Sequence, residues 1–349
     1  MTDSWAPDLI GWYRANARVL PWRNPPGAAL PDDADWPYRV WLSEVMLQQT
    51  TVEAVTPYFH AFTTRWPNVA ALAAADDADV MQAWAGLGYY ARARNLLACA
   101  RAVMAQYGGR FPGTEAALRG LPGIGDYTAA AVAAFGFGRD AVVIDGNIER
   151  VTTRLFGIST PLPAARTAIR DSIATVLPAG QSGDFAQAMM DLARRVCTPR
   201  GPKCLLCPVA AACTARAAGN PEDYPVKPAK RARPLRQGTA WWLEVAGEVL
   251  TIQRPAKGLL GGMRALPSCG WQGGDAQAPV AGDWRLLGAV RHGFTHFELE
   301  LQVRGLWLPE RPAIAGDWVK RADVAAGMPT LFAKAAALGQ SSARGDGAA

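Results

Sequence analysis

The sequence lacks several things, and each absence narrows its function. Its longest apolar stretches, such as Thr128 to Gly138 (TAAAVAAFGFG), fall well short of the roughly 20 residues a membrane span needs. The opening MTDSWAPDLI has no basic segment and no clean apolar run. No signal peptide is expected there, and the reading is a protein of the reducing cytoplasm, nucleoid-associated if bacterial. No internal repeat is evident. Histidine is scarce, three in 349 residues, so any one inside a motif carries extra weight.

What is present suits two domains. Half of the residues are hydrophobic, enough for sizeable cores. The net charge is +6. From Asp191 to Arg236 there are ten Lys or Arg against three Asp or Glu. Such a balance suits a polyanionic partner, although charge alone favours a plain solvated face. Residues 1–223 read as helical, because apolar positions recur at helical spacing in WLSEVMLQQTTVEAVTPYFHAF, DVMQAWAGLGYYARARNLLACARAVMAQY and AARTAIRDSIATVL. Residues 24–37 read as a polar, Pro-rich loop. Residues 224–238 are basic and Pro-rich, a linker by composition. Residues 239–340 carry short alternating runs that predict strands, closed by a helix near 321–339. Residues 341–349 read as a disordered tail.

Four of the six cysteines fall within 17 residues, as Cys197-x6-Cys204-x2-Cys207-x5-Cys213. In a reducing compartment so compact a thiol set predicts a metal centre, either structural zinc or an iron–sulfur cluster. Arg194, Arg195, Arg200 and Lys203 offset thiolate charge. Cys99 and Cys269 are isolated and are expected to be buried packing. The spacing resembles the iron–sulfur loop of the endonuclease III superfamily of DNA glycosylases, and that resemblance implies a [4Fe–4S] cluster.

Two further features follow the same pattern. LPGIG predicts a tight turn, Leu121 to Gly125, in which Gly123 and Gly125 let the backbone approach a ligand and Asp126 caps the next helix. It resembles the helix-hairpin-helix motif, which grips DNA phosphates through helix-start amides. In AVVIDGNIERV, Asp145 ends an apolar run just before a helix. Its plain reading is an N-cap. In the superfamily this aspartate is the catalytic carboxylate, with Asn147 beside it.

Position 127 separates two mechanisms. The bifunctional relatives carry a lysine there, which forms a Schiff base and leads to strand scission. Tyr127 has a phenol and cannot form an imine, so a monofunctional glycosylase is expected. WPYRVWLSEVMLQQT places Glu44 on an amphipathic helix among Val40, Trp41, Leu47 and Gln48. Three of these are apolar, so the carboxyl is expected to be partly desolvated and its pKa raised, as a general acid requires.

That string, with LPWR (Leu20 to Arg23), GLGYYARARN (Gly86 to Asn95) and DFAQAMMDLARRVCTPR (Asp184 to Arg200), resembles the MutY-type adenine DNA glycosylase family. The resemblance covers most of residues 18–215. It implies that Glu44 protonates adenine, that Asp145 stabilises or traps the sugar cation, and that Tyr127 and Asn147 position these groups. It implies an adenine pocket of Trp22, Arg23, Leu47 and Gln187. Gln49, Leu87 and Tyr89 would wedge into the base stack, with Thr50 near the opposite base. The expected partner is double-stranded DNA with adenine opposite 8-oxoguanine or guanine, bound by a monomer with no membrane association.

The second region resembles the family's Nudix-like lesion-reading domain more weakly, through Phe294, Thr295 and His296 in HGFTHFELEL. It has no Glu-rich metal motif, so nucleotide hydrolysis is not expected of it. The fold expected overall is a mainly α helix-hairpin-helix glycosylase half plus a smaller α+β Nudix-like domain. The alternatives are an endonuclease III-like glycosylase/lyase for oxidised pyrimidines, a non-enzymatic DNA-binding or redox protein, and a zinc module.

Overall fold

The computed structural model describes residues 5–227, 233–255, 258–269, 271, 277–294 and 296–342. The chain divides into two compact units, Met1–Ala229 and Lys230–Ala349.

The first unit is helical. Its described helices are α1 (Ala6–Asn16), α2 (Trp36–Leu47), α3 (Val52–Arg65), α4 (Val69–Ala73), α5 (Asp77–Ala83), α6 (Ala91–Tyr107), α7 (Glu115–Arg119), α8 (Asp126–Phe137), α9 (Gly146–Phe156), α10 (Arg166–Val176), α11 (Ser182–Arg195) and α12 (Thr214–Ala217). Helix α8 is the central rod, buried on nearly every face from Thr128 to Gly136. Its alanines leave room for close neighbours, and α2 packs along it. Helices α9 and α11 are amphipathic and bury Ile148, Val151 and Leu155 of one and Phe185, Met189 and Leu192 of the other.

The continuous helical periodicity of two sequence segments is interrupted. One breaks between Leu47 and Val52 and the other between Ala83 and Ala91. At the first break Gln49 takes a φ of 60°, and Thr51 then caps α3 by accepting from the Ala54 amide. These breaks bring Gln49 and Tyr89 to the surface. The loop at 24–37 is tied down rather than loose. Gly27 donates its amide to Asp184 (2.8 Å), and the Trp36 indole donates to the Phe135 carbonyl (3.0 Å).

The second unit is a mixed sheet of β1 (Leu235–Val245), β2 (Glu248–Gln253), β3 (Arg264–Ala265), β4 (Ser268–Cys269), β5 (Arg285–Gly293), β6 (Glu298–Leu308) and β7 (Asp317–Lys320), with α13 (Thr330–Ser341). The strand order is β3-β2-β1-β6-β5, with β4 on β1 and β7 on β2. Strands β1 and β6 run parallel over eleven paired residues, and the other pairings are antiparallel. Trp242, Leu299, Leu301 and Val303 pack with Leu331 and Phe332 of α13. Glu244 is buried there, accepting from the Trp242 and Trp307 indoles and from Arg321.

Three boundaries differ from the sequence reading. Strand β1 begins at Leu235, inside the expected linker, while Tyr224 and Val226 still accept bonds from Arg154 and Leu162 of the helical unit. The final helix starts at Thr330 rather than near 321, because Pro329 disfavours helical backbone just before it. Residues 228–232 of the linker, and the tail beyond Ser342, lie outside the described residues. Cys99 is buried, and burial pushes its thiol up to about 12. Cys269 is half-buried in β4, not buried as expected.

No helix among the described residues is long and apolar enough to cross a membrane.

Candidate active site

A cavity of the helical unit has a volume of about 660 Å³. Glu44, Tyr127, Asp145 and Asn147 all line it. So do Trp22, Arg23, Leu47 and Gln187, and also Gln49 and Thr50. These ten residues come from the end of α2 and the turn after it, the start of α8, the start of α9, α11 and the chain before α2.

Glu44 sits on the buried face of α2 and is 6% exposed. The Tyr127 hydroxyl, from the first turn of α8, donates to its Oε2 at 2.5 Å. Burial pushes the Glu44 carboxyl up to about 7, and the Asp145 charge adds to this. The Tyr127 hydrogen bond and the Arg23 charge hold it back from rising further. Burial and the neighbouring Glu44 also hold the Tyr127 phenol well above its usual range, so the phenol remains a donor. Burial thus favours the protonated form of a carboxyl that faces the cavity.

Asp145 is the N-cap of α9. Its Oδ1 accepts from the Asn147 and Ile148 amides at 2.9 and 2.7 Å, and its Oδ2 from the Asn147 side-chain amide at 2.8 Å. The plain N-cap reading is thus correct as local structure. Three donors and the positive end of α9 face the Asp145 carboxyl group. Burial favours the neutral acid at Glu44, while Asp145 is surrounded by hydrogen-bond donors, an arrangement suited to divided roles for the two side chains.

Sequence reasoning missed the groups behind this pair. Arg150 donates to the Asn147 side-chain oxygen (3.2 Å), the Cys197 carbonyl (2.9 Å) and the Ala193 carbonyl (3.0 Å), and it lines the cavity. Asp191 is fully buried and pairs with Arg18 (2.7 Å) and Arg23 (2.9 Å). Burial pushes the Asp191 carboxyl up, but the two guanidiniums outweigh it and leave the pKa lowered. That pairing fixes Arg23 at the cavity wall. The Tyr13 hydroxyl donates to the Gln187 side-chain oxygen at 2.6 Å, turning the amide nitrogen the other way. Helical spacing gave a signal for some of these residues: Asp191 follows Gln187 by four positions, and Arg150 follows Asn147 by three.

Outside the cavity, the hairpin is built around Gly123. It takes a φ of 74°, and a Cβ there would stand 2.6 Å from the Cβ of Asn95 on α6. Leu121 is buried and anchors the turn, while Gly123 and Gly125 are exposed. The N-cap of α8 is Gly125, not Asp126 as the sequence suggested, and no side chain caps it. Asp126 is exposed and pairs instead with Arg119 at 3.3 Å. The uncapped first amides of α8 remain at the surface.

Leu87 corrects a second expectation. It is 6% exposed and belongs to the hydrophobic core, whereas Tyr89 in the same turn is 58% exposed. The alternation of the turn sends one side chain inward and the other out. Gln49 is exposed and Thr50 is half-buried.

Cys197, Cys204, Cys207 and Cys213 line a single small pocket with Arg154. Arg154 is 1% exposed and braces the loop, donating to the Thr198 carbonyl (2.7 Å), the Pro199 carbonyl (3.0 Å) and the Cys197 sulfur (3.3 Å). Burial raises Cys207 to about 11 and also raises Cys213, and neighbouring thiols add to both shifts.

In the second unit, Phe294 does not stand free. It is half-buried in a stack between Trp271 (5.7 Å) and Phe297 (4.7 Å). His296 is exposed, and Thr295 lies outside the described residues.

Comparison with known proteins agrees with this layout. Residues 42–173 match the model of the HhH-GPD superfamily base excision DNA repair proteins, and residues 239–338 match a NUDIX domain. The adenine DNA glycosylase of Mycolicibacterium smegmatis is 40% identical over 61% of this chain and 70% of its own length. The chain belongs to the adenine DNA glycosylase family. Human adenine DNA glycosylase is 34% identical over 86% of this chain, which spans 66% of that protein's length. Among solved structures, a thermostable thymine-DNA glycosylase superposes with a TM-score of 0.55 at 29% identity, covering 61% of this chain and 95% of its own. That superposition and the NUDIX match establish the fold expected from the sequence: a helical glycosylase unit plus a Nudix-like α+β domain.

Proposed function

We propose that this member of the family excises adenine opposite 8-oxoguanine, and opposite guanine, from double-stranded DNA by flipping the base and hydrolysing its N-glycosidic bond. The observation that carries this is the buried Glu44 carboxyl, raised to about 7 and held by Tyr127 in the same cavity as Asp145.

An extruded adenine enters between Trp22, Leu47 and Gln187. Glu44 gives its proton to a ring nitrogen, which turns adenine into a neutral leaving group. Asp145 stabilises the oxocarbenium-like sugar or forms a short-lived adduct with it, as in a retaining glycosidase. Asn147 keeps Asp145 oriented, and Tyr127 orients Glu44. Water completes the hydrolysis. Because residue 127 is a phenol and not an amine, the chemistry ends at the abasic site.

The hairpin amides around Gly123 and Gly125 hold DNA phosphate, and Tyr89, Gln49 and Thr50 meet the stack around the vacated position. Leu87 supports that turn from the core. Phe294, Thr295 and His296 belong to the lesion-reading edge of the second domain, with His296 the exposed polar group.

The four thiols hold a [4Fe–4S] cluster. The donor set suits one, since four sulfurs line one pocket. Burial raises the Cys207 and Cys213 thiols, and a bound metal favours their ionised form. Such a cluster would fix the basic loop against DNA. Zinc is the competing occupant, and a visible absorption band from thiolate-to-iron charge transfer, which zinc lacks, separates the two.

The deciding experiment is single-turnover adenine release from duplexes carrying adenine opposite 8-oxoguanine, guanine, cytosine or thymine. Release fastest opposite 8-oxoguanine, slower opposite guanine and absent opposite thymine is expected. No release from any duplex by cluster-loaded protein overturns the reading. Borohydride trapping of a covalent DNA complex would point instead to a glycosylase/lyase.

A further inference from the structure

Among the described residues of the helical unit, two that are not glycine adopt left-handed backbone: Gln49 (φ 60°) and Tyr89 (φ 49°). Such conformations cost about 1–3 kcal/mol and persist only where surrounding contacts enforce them. Both residues are exposed, and they lie on the two breaks in helical periodicity. One side chain reaches both breaks.

Arg92, in the first turn of α6, is 9% exposed. Its Nη1 donates to the Val45 and Met46 carbonyls, each at 2.9 Å. Its Nη2 donates to the Thr50 hydroxyl (3.3 Å) and to the Leu87 and Gly88 carbonyls (3.2 and 3.3 Å). The guanidinium also lies 5.3 Å from the Trp84 ring and 5.5 Å from the Tyr89 ring. Val45 and Met46 are in the last turn of α2, whose carbonyls lack helical partners and favour a cation. One nitrogen therefore ends α2 just before Gln49, and the other ties Thr50 to the turn that carries Tyr89.

We infer that Arg92 is a positioning residue that holds the Gln49 turn and the Tyr89 turn at a fixed separation, so that both meet the DNA stack together when adenine is extruded. Burying a cation is costly, and a neutral side chain would fill the same space without that cost. A planar fork with two separate nitrogens reaches the end of α2 and both turns at once; a lysine ammonium is a point charge and cannot reach all of these acceptors. Arg92 acts without touching the base. This inference rests on the reading that Gln49 and Tyr89 face the stack.

The test uses the whole chain and a duplex with 2-aminopurine in place of adenine, opposite 8-oxoguanine. Unstacking of 2-aminopurine raises its fluorescence. The wild-type protein is expected to raise it. Arg92→Lys and Arg92→Gln, each checked for a cooperative thermal transition, are expected to lose most of that rise and about tenfold in single-turnover adenine release, while the pH profile of release stays put. In a Tyr89→Ala background, Arg92→Lys is expected to cost about twofold or less, because the turn it positions no longer carries the wedge. A wild-type fluorescence rise in either folded Arg92 variant overturns the inference and leaves the proposed function standing. Full, independent losses from Tyr89→Ala and Arg92→Lys also overturn it. No rise with the wild-type protein removes both the wedge reading and the role of Arg92.

Discussion

Tyr127 and Glu44 are 83 positions apart in sequence, yet the phenol donates to the carboxylate oxygen at 2.5 Å across the wall of the cavity. That contact opposes the larger effect of burial on the acidity of the group on which the proposed chemistry depends. Removing it as Tyr127→Phe takes away an influence that lowers the Glu44 pKa. The alkaline limb of the rate profile is then expected to move to higher pH, with a loss of stability of about 1–3 kcal/mol where Glu44 is ionised and its oxygen is left unpaired. A pH series of single-turnover rates reads the first effect and denaturant melts read the second. An unmoved limb would show that Tyr127 does not tune Glu44.

Glu44 itself links activity to stability. Its folded pKa of about 7 lies above its ordinary value of 4.5. The raised value means the folded state binds the proton more tightly than the unfolded one. The contribution is therefore fully present below pH 4.5 and is lost as pH rises through about 7. Over that range the change is on the order of 3 kcal/mol, at about 1.4 kcal/mol per unit. Activity that needs the acid form falls over the upper part of the same range. Glu44→Gln is expected to abolish adenine release and to flatten the stability profile, leaving the variant more stable than the wild type at pH 8. Urea melts at several pH values check this.

Asp145 carries a structural and a chemical burden, and the two separate experimentally. Asp145→Asn keeps an oxygen for the Asn147 and Ile148 amides but loses the charge. Adenine release should fall by about a thousandfold or more, a size typical of a lost electrostatic stabiliser, while affinity for the mismatched duplex persists. A simultaneous loss of DNA binding would assign Asp145 to the fold and not to the reaction.

Gly123→Ala places a methyl group 2.6 Å from Asn95 and forces a non-glycine residue to φ 74°. A cost of about 1–3 kcal/mol is expected from the backbone alone. If the hairpin amides hold phosphate, affinity for DNA drops similarly for every opposite base, and the preference for 8-oxoguanine is unchanged. Binding isotherms on two duplexes decide this.

The chemistry-bearing residues were legible because each belongs to a local pattern. The four thiols are spaced within one loop, LPGIG is a complete turn, and Asp145 announces itself as the cap of α9. Helical periodicity put Glu44 among apolar neighbours. The same periodicity ran straight through residues 48–51 and 84–90, where the chain turns, because propensity is blind to a buried arginine that ends one helix and braces two turns. It also left Leu87 and Tyr89 looking alike.

Sequence alone thus determined which functional groups this protein carries and in what order, since caps, turns and ligand spacings are properties of a few consecutive residues. Tertiary structure decided what those groups are able to do. Glu44 is pushed toward its neutral form because the fold buries it. Arg23 faces the cavity because Asp191, 168 positions away, is buried and holds it there. Desolvation and ion pairing depend on which distant segments close around a group, and no spacing along the chain records that.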